Sequence, residues 1–183
     1  MARPTGWDAS AAIAGLGPGR WKGRAWRFHR RRYEALDSSG SLLVSGRYNR
    51  GSDQFSTHQT WPALYLALRP ETALGEVVRH VTVELLGKLN DFRLSELEVE
   101  LEAVLDCHDE TALGLAAGVL SRDYDFEPTQ ALAAAAIDRD AEGILVPSAT
   151  GLGDNLIVFP TRVQASSRLA VLDSRDPRLN APR

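Results

Sequence analysis

Of the 21 basic residues in this 183-residue chain, nineteen are arginine, and they are unevenly placed. Residues 1–50 carry ten Lys+Arg against three Asp+Glu, a net of +7, while residues 90–142 carry three against fourteen, a net of −11. A guanidinium fork meets a phosphate with two parallel hydrogen bonds, which an ammonium cannot do. The first quarter is therefore one place where an anionic ligand could be held. The plainer reading is a coding bias toward arginine, which accounts for most of these residues. Arg30-Arg31-Arg32 is the densest cluster, and three consecutive cations read first as a solvated face. Nucleic-acid binding through this quarter stays open as a non-enzymatic alternative, but the acidic second half opposes a basic face across the whole protein.

Other chemistries find little support. His29, His58, His80 and His108 include no i, i+4 pair of metal-ligand spacing, and no second cysteine joins Cys107 beside His108, so no metal is expected. Ser148 is not flanked as a nucleophile elbow, and no phosphate-binding loop with its lysine occurs. The run Gly15-Leu16-Gly17-Pro18-Gly19 reads as a linker turn.

The elements that must position any site are mixed. Ala9–Ala14 predicts a short helix, Leu42-Leu43-Val44 a short strand, and Trp61–Leu68 a strand. Arg69-Pro70-Glu71-Thr72 starts a helix that runs to about His80, with Ala73, Leu74, Val77, Val78 and Val81 on one face. Val81–Glu84 could already belong to the next strand. In Phe92–Cys107, Leu97, Val99 and Leu101 alternate with Glu96, Glu98, Glu100 and Glu102, so half of that segment should face water. Asp109–Leu120 and Pro128–Ile137 read as helices. Gly143–Pro147, Asn155–Phe159 and Leu169–Leu172 read as strands, and the polar tail from Arg175 as frayed.

Strands and helices mix without strict alternation, which is an α+β pattern in one domain. A chain of this size buries roughly 70% of its unfolded surface, so it can build a core without staples. A single cysteine, no apolar run of membrane-spanning length and no signal-peptide pattern predict a cytoplasmic protein with no membrane partner.

Four segments together resemble the RES domain family: Trp26-Arg27-Phe28-His29; Gly46-Arg47-Tyr48-Asn49; Leu64-Tyr65-Leu66-Ala67 followed by Pro70, Ala73-Leu74 and Glu76; and Gly143–Ala149 leading to Asn155–Phe159. Thr129-Gln130-Ala131-Leu132 also resembles the family, and the likeness spans roughly residues 25–160. It implies an N-terminal extension over 1–24, a RES domain over 25–173 and a tail over 174–183. It implies a fold similar to ADP-ribosyltransferase toxins, with a mixed β core and flanking helices. It further implies a toxin of a bacterial toxin–antitoxin pair that consumes NAD as substrate, by hydrolysis or phosphorolysis, or by ADP-ribosylating a protein. The implied partner is an Xre-like antitoxin that occludes the site, and any DNA contact would run through that antitoxin.

By that resemblance Glu76 is the carboxylate that stabilises positive charge on the ribose. Arg27 and Arg47 hold the pyrophosphate. Tyr65 stacks on the nicotinamide or lines its pocket. Ser148 bonds the ribose or carboxamide, or sets Glu76. Asn155 shapes the loop, and Tyr48 packs or touches the adenine or ribose. Without the resemblance, Glu76 would be a solvated carboxylate beside Ala73 and His80, Tyr65 a core residue, Ser148 a turn former and Arg27 a surface ion-pair partner. An insertion around Ser52–Thr60 reads as an altered entrance or an acceptor-binding loop.

Overall fold

The alternation around Leu97 builds the central strand. β3 (Phe92–Asp106) points Leu97, Val99 and Leu101 inward with no exposed surface and turns Glu96, Glu98 and Glu100 outward. β1 (Gly19–Arg30) runs antiparallel beside it, with Ala25 opposite Leu97 and Gly23 opposite Val99. The computed structural model describes residues 6–78 and 89–177. The expected end of the helix near His80, the stretch Val81–Glu84 and residues 178–183 of the tail lie outside those residues.

The other flank of β3 carries β6 (Arg168–Arg175), and its last residues pair in parallel with β4 (Gly143–Pro147). β4 pairs with β5 (Asp154–Val158), and β5 with β2 (Leu64–Ala67), both antiparallel. β2 returns to β1 through the single pair Trp26–Ala67. The order β1-β2-β5-β4-β3 thus closes on itself through the β1–β3 ladder, with β6 outside the ring. Ala25, Leu64, Leu66, Leu97, Val99, Leu101, Leu156 and Val158 form the core within it. A second core lies on the other side of β4 and β5, where Ile144, Val146, Ile157 and Phe159 meet α1 (Ala9–Ile13) and α4 (Glu127–Asp138). The alanines of α4 let that helix lie close to the sheet. The remaining described helices are α2 (Gly40–Leu43) and α3 (Pro70–Val78).

The α+β reading in one domain holds. Ile13 is fully buried and β1 begins at Gly19, so the boundary drawn after residue 24 falls inside a core strand. β1 escapes the sequence patterns because its inward positions include Gly23 and Ala25, too small to give an apolar alternation.

The charge asymmetry has a local explanation. Arg24 pairs with Glu96, Arg20 with Glu100, Lys22 with Glu100 at 3.1 Å, and Arg168 of β6 reaches Glu98 at 3.7 Å. Each exposed pair contributes about 0–1 kcal/mol. These three cations of β1 face glutamates, so this part of the first quarter adds nothing to a free basic face.

Two predicted elements are corrected. Leu42-Leu43-Val44 is not a strand: α2 occupies Gly40–Leu43, and Leu43 and Val44 are exposed. The Asp37 side chain accepts from Ser39 N–H and the Ser41 hydroxyl donates to Ser38 C=O, which winds the chain locally. Asp109–Leu120 is a series of turns. Gly114 and Gly118 take φ of 70° and 82°, and the Glu110 carboxylate accepts the N–H groups of Gly118 and Leu120. A backbone donor taken by a side chain is lost to a helix.

Candidate active site

The face of β1 that carries the cations changes character toward its end. Trp26, Phe28 and Arg30 succeed Arg20, Lys22 and Arg24 on the same side and form one wall of a cavity of about 610 Å3. Phe28 stacks on Phe92 with centroids 5.2 Å apart, and the Arg30 guanidinium lies over Phe92 at 5.8 Å. Phe126 and the turn Gly46–Asn49 line the cavity as well. Its floor holds Tyr65, Glu76 and Asn155.

Glu76 reaches this floor because α3 is fastened to the loop after β4. Pro70 opens the helix, with its φ preset for a first turn. The buried Thr72 hydroxyl donates to Leu152 C=O at 2.6 Å. A Cβ at Gly75 would lie 3.0 Å from the Thr150 methyl group, so glycine there lets the loop seat against the helix. The next residue, Glu76, then meets three donors on one oxygen. Oε1 accepts from the Ser148 hydroxyl at 2.6 Å, Asn155 Nδ2 at 2.9 Å and Ala149 N–H at 3.2 Å. Among the described residues no donor reaches Oε2. The carboxylate is thus clamped through one oxygen at a residue that lines the cavity.

Ser148 itself is 3% exposed and does not line the cavity. Its oxygen also accepts from Thr150 N–H at 3.1 Å and meets the Thr150 hydroxyl at 2.8 Å. Of the two roles given to Ser148, its geometry fits the setting of Glu76. Asn155 both lines the cavity and holds the carboxylate.

The Gly46–Asn49 turn is fixed from two sides. Gly46 N–H donates to Asn49 C=O at 3.2 Å. One amide nitrogen of Gln130, on α4, donates to Gly46 C=O at 3.0 Å and Asn49 C=O at 3.2 Å. From below, the Tyr65 hydroxyl accepts from Tyr48 N–H at 2.9 Å and donates to Asn49 Oδ1 at 2.8 Å. Burial pushes the Tyr65 phenol well up, so it keeps the proton it donates. A Cβ at residue 46 would come within 2.5 Å of Asn49 Oδ1, which is why glycine stands there. The Tyr48 ring is 1% exposed and its hydroxyl donates to Leu120 C=O at 3.1 Å, so it packs in the core.

Arg47 extends from this turn into the cavity. Its Nη2 meets Asp123 Oδ1 at 3.0 Å and its guanidinium lies 5.8 Å from the Phe126 centroid. Its Nε is buried without a hydrogen-bond partner. A buried, unpaired donor of a cation on a cavity wall is a place for an anionic ligand.

Arg27 is a correction. It points from the opposite face of β1, does not line the cavity, and donates to Ala35 C=O at 2.6 Å. Burial draws its guanidinium below the ordinary value, with nearby Asp37 opposing. On β1 the cavity cation is Arg30, which the sequence reading left in a solvated cluster; the two-residue period from Trp26 through Phe28 was the signal that could have found it. Gln130 and Asn49 were present in the motif segments without a role. Among the described residues no three His, Cys, Asp or Glu side chains group as metal ligands, and no helix is long and apolar enough to cross a membrane.

A chain of the M. tuberculosis MbcT-MbcA toxin-antitoxin complex superposes with a TM-score of 0.74 at 26% identity, covering 92% of this chain and 91% of that one. No curated protein matches the chain. The RES domain family model matches residues 24–180, a span that contains the Glu76 clamp, the Gly46–Asn49 turn and every strand of the ring except residues 19–23 of β1, and the chain therefore belongs to the RES domain family.

Proposed function

We propose that this protein is the toxin of a toxin–antitoxin pair and that its cavity breaks the nicotinamide–ribose bond of NAD. The observation that carries the reading is the Glu76 carboxylate, clamped through Oε1 and facing a cavity whose wall holds the unpaired Nε of Arg47. Family membership and the likeness to a chain of a toxin–antitoxin complex support the toxin role.

The chemistry asks for such an arrangement. When the bond breaks, its electron pair leaves with the nicotinamide nitrogen, which becomes neutral, and positive charge develops on the ribose. That charge resembles the oxocarbenium character of glycoside hydrolysis. A preorganised carboxylate beside the sugar stabilises it without reorganising. Arg47 and Arg30 supply guanidinium forks for the pyrophosphate, and Trp26, Phe28 and Phe126 supply flat apolar surface for the rings. An oxygen of water or phosphate then adds to the ribose carbon and a proton is released. The antitoxin acts by covering this cavity.

Proton NMR of NAD with the purified protein, with and without phosphate, tests the reading. Free nicotinamide is expected, with a Glu76→Gln variant slower by about 10²–10³-fold. A phosphate requirement assigns phosphorolysis. Label from adenine-labelled NAD on a lysate protein, with no free ADP-ribose, would move the assignment to ADP-ribosyl transfer. A folded Glu76→Gln protein with full turnover would overturn it.

A further inference from the structure

The end of the segment 52–60, at His58, Gln59 and Thr60, lines a second cavity, of about 360 Å3, with the C-terminal half of α4 and the turn at Pro160–Arg162. It shares no lining residue with the first. Its volume falls within the range of small-molecule sites, roughly 300–1,000 Å3. Three cationic or titratable side chains line it, Arg50, His58 and Arg162, against one carboxylate, Asp138.

Arg50 is the unusual member. Its guanidinium lies over two aromatic rings, Phe55 at 4.7 Å and Trp61 at 4.9 Å from their centroids. Its side chain makes no hydrogen bond or ion pair with any described residue, and its Nε is buried without a partner among them. Stacking holds a guanidinium by its faces and leaves its N–H edges free. A buried donor left unpaired is unfavourable unless something else meets it. Arg162, by contrast, pairs with Asp140 at 3.3 Å.

We propose that this cavity binds a phosphate group, free or carried on a small metabolite, with Arg50 as the primary contact and Arg162 and His58 at its rim. Arg50 faces both rings from the residue that follows the Gly46–Asn49 turn, and the Trp61 indole donates to Tyr48 C=O at 2.9 Å. Occupancy of the second cavity is therefore felt at the turn that carries Arg47. The proposal does not rest on NAD cleavage, because binding is read directly.

The test is titration of the full-length ¹⁵N-labelled chain with inorganic phosphate and, separately, with AMP, at ionic strength held constant with chloride. The Arg50 Nε–H and Trp61 indole resonances are expected to shift saturably. Tighter binding of AMP assigns a nucleoside-borne phosphate, and equal binding assigns the free ion. Arg50→Gln is expected to weaken the affinity about tenfold or more, as loss of a two-point charge-assisted contact does. Arg162→Gln is expected to weaken it less, and it keeps the aromatic stack intact should Arg50→Gln not fold. Glu76→Gln should bind as the unaltered chain does. Resonances that stay still with both anions, shifts confined to Arg47 and Arg30, or the same affinity in both arginine variants would overturn it.

Discussion

The Ser148 hydroxyl donates to Glu76 Oε1 at 2.6 Å, joining residues 72 apart in the chain. It is one of three donors on that oxygen, and its own acceptor capacity is taken by Thr150. Ser148 has nothing left for a ligand. In the proposed reaction it is a positioning residue, and Glu76 is the group that would meet the substrate.

Ser148→Ala should therefore change kcat far more than KM. A hydrogen bond to a charged group contributes about 1.5–3 kcal/mol, which corresponds to a roughly ten- to hundred-fold slower reaction if all of it serves the clamp. Asn155→Ala should do the same, and the double variant should fall short of the product of the two, because both act on one carboxylate. Nicotinamide release under saturating and limiting NAD separates the two constants. A Ser148→Ala protein with raised KM and unchanged kcat would show that the hydroxyl contacts substrate.

Tyr65→Phe removes one oxygen and nothing else, yet it should loosen the cavity's cation. The Tyr48 N–H and Asn49 Oδ1 lose their partner, and each buried orphan costs about 1–3 kcal/mol. For a chain of this size the melting temperature should drop by about 2–4 °C for each kcal/mol lost. Because that turn carries Arg47, NAD affinity should fall as well. Calorimetric melting and equilibrium NAD binding on the same sample check both. An unchanged melting temperature would mean that water replaces the phenol.

The motif segments and the two-residue period made much of this site legible, and side-chain direction hid the rest. Leu97, Val99 and Leu101 announce β3 because large apolar residues alternate with glutamates. β1 hides because Gly23 and Ala25 fill its inward positions, where the ring leaves little room. Glu76 lies on α3 where a helical wheel puts it in water. The loop after β4, brought there by the Thr72–Leu152 bond and by the space at Gly75, shelters it together with Asn155 of β5. Arg27 shows the opposite failure: the resemblance assigns it to the pyrophosphate, but it leaves β1 on the side away from Trp26 and Phe28, because neighbouring residues of a strand face opposite sides. The helix expected over Asp109–Leu120 failed because Glu110 takes the backbone donors of Gly118 and Leu120, which periodicity does not register.

The two faces of β1 give a sharp contrast between its arginines. Arg30→Gln should weaken NAD binding several-fold with little change in melting temperature, since Arg30 is exposed and lines the cavity. Arg27→Gln should lower the melting temperature, since its buried guanidinium is bonded to Ala35 C=O. Its NAD affinity, measured where the variant is folded, should stay near that of the unaltered chain. Equilibrium binding beside thermal melting distinguishes the two, and a reversal of the pattern would place Arg27 in the cavity.

Stability should fall on both sides of neutral pH, for two different groups. Burial alone would raise the Glu142 carboxyl. Bonds from Gln164 N–H, the Ser167 hydroxyl, Ala103 N–H and Glu102 N–H outweigh it and hold the carboxyl below its ordinary range. A lowered carboxyl stabilises the fold above its unfolded value of about 4.3 and loses that contribution as pH falls through the folded value. His108 works in the other direction. Burial would lower it, but the bonds to Asp106 and to Asp154, the latter at 3.1 Å, raise it above about 6.5. Its contribution is complete below pH of about 6.5 and is lost as pH rises through the raised folded value. Melting temperature against pH should show an alkaline decline that His108→Asn abolishes and an acid decline that Glu142→Gln flattens from a lower starting point. An alkaline decline that persists in His108→Asn would assign it to another group.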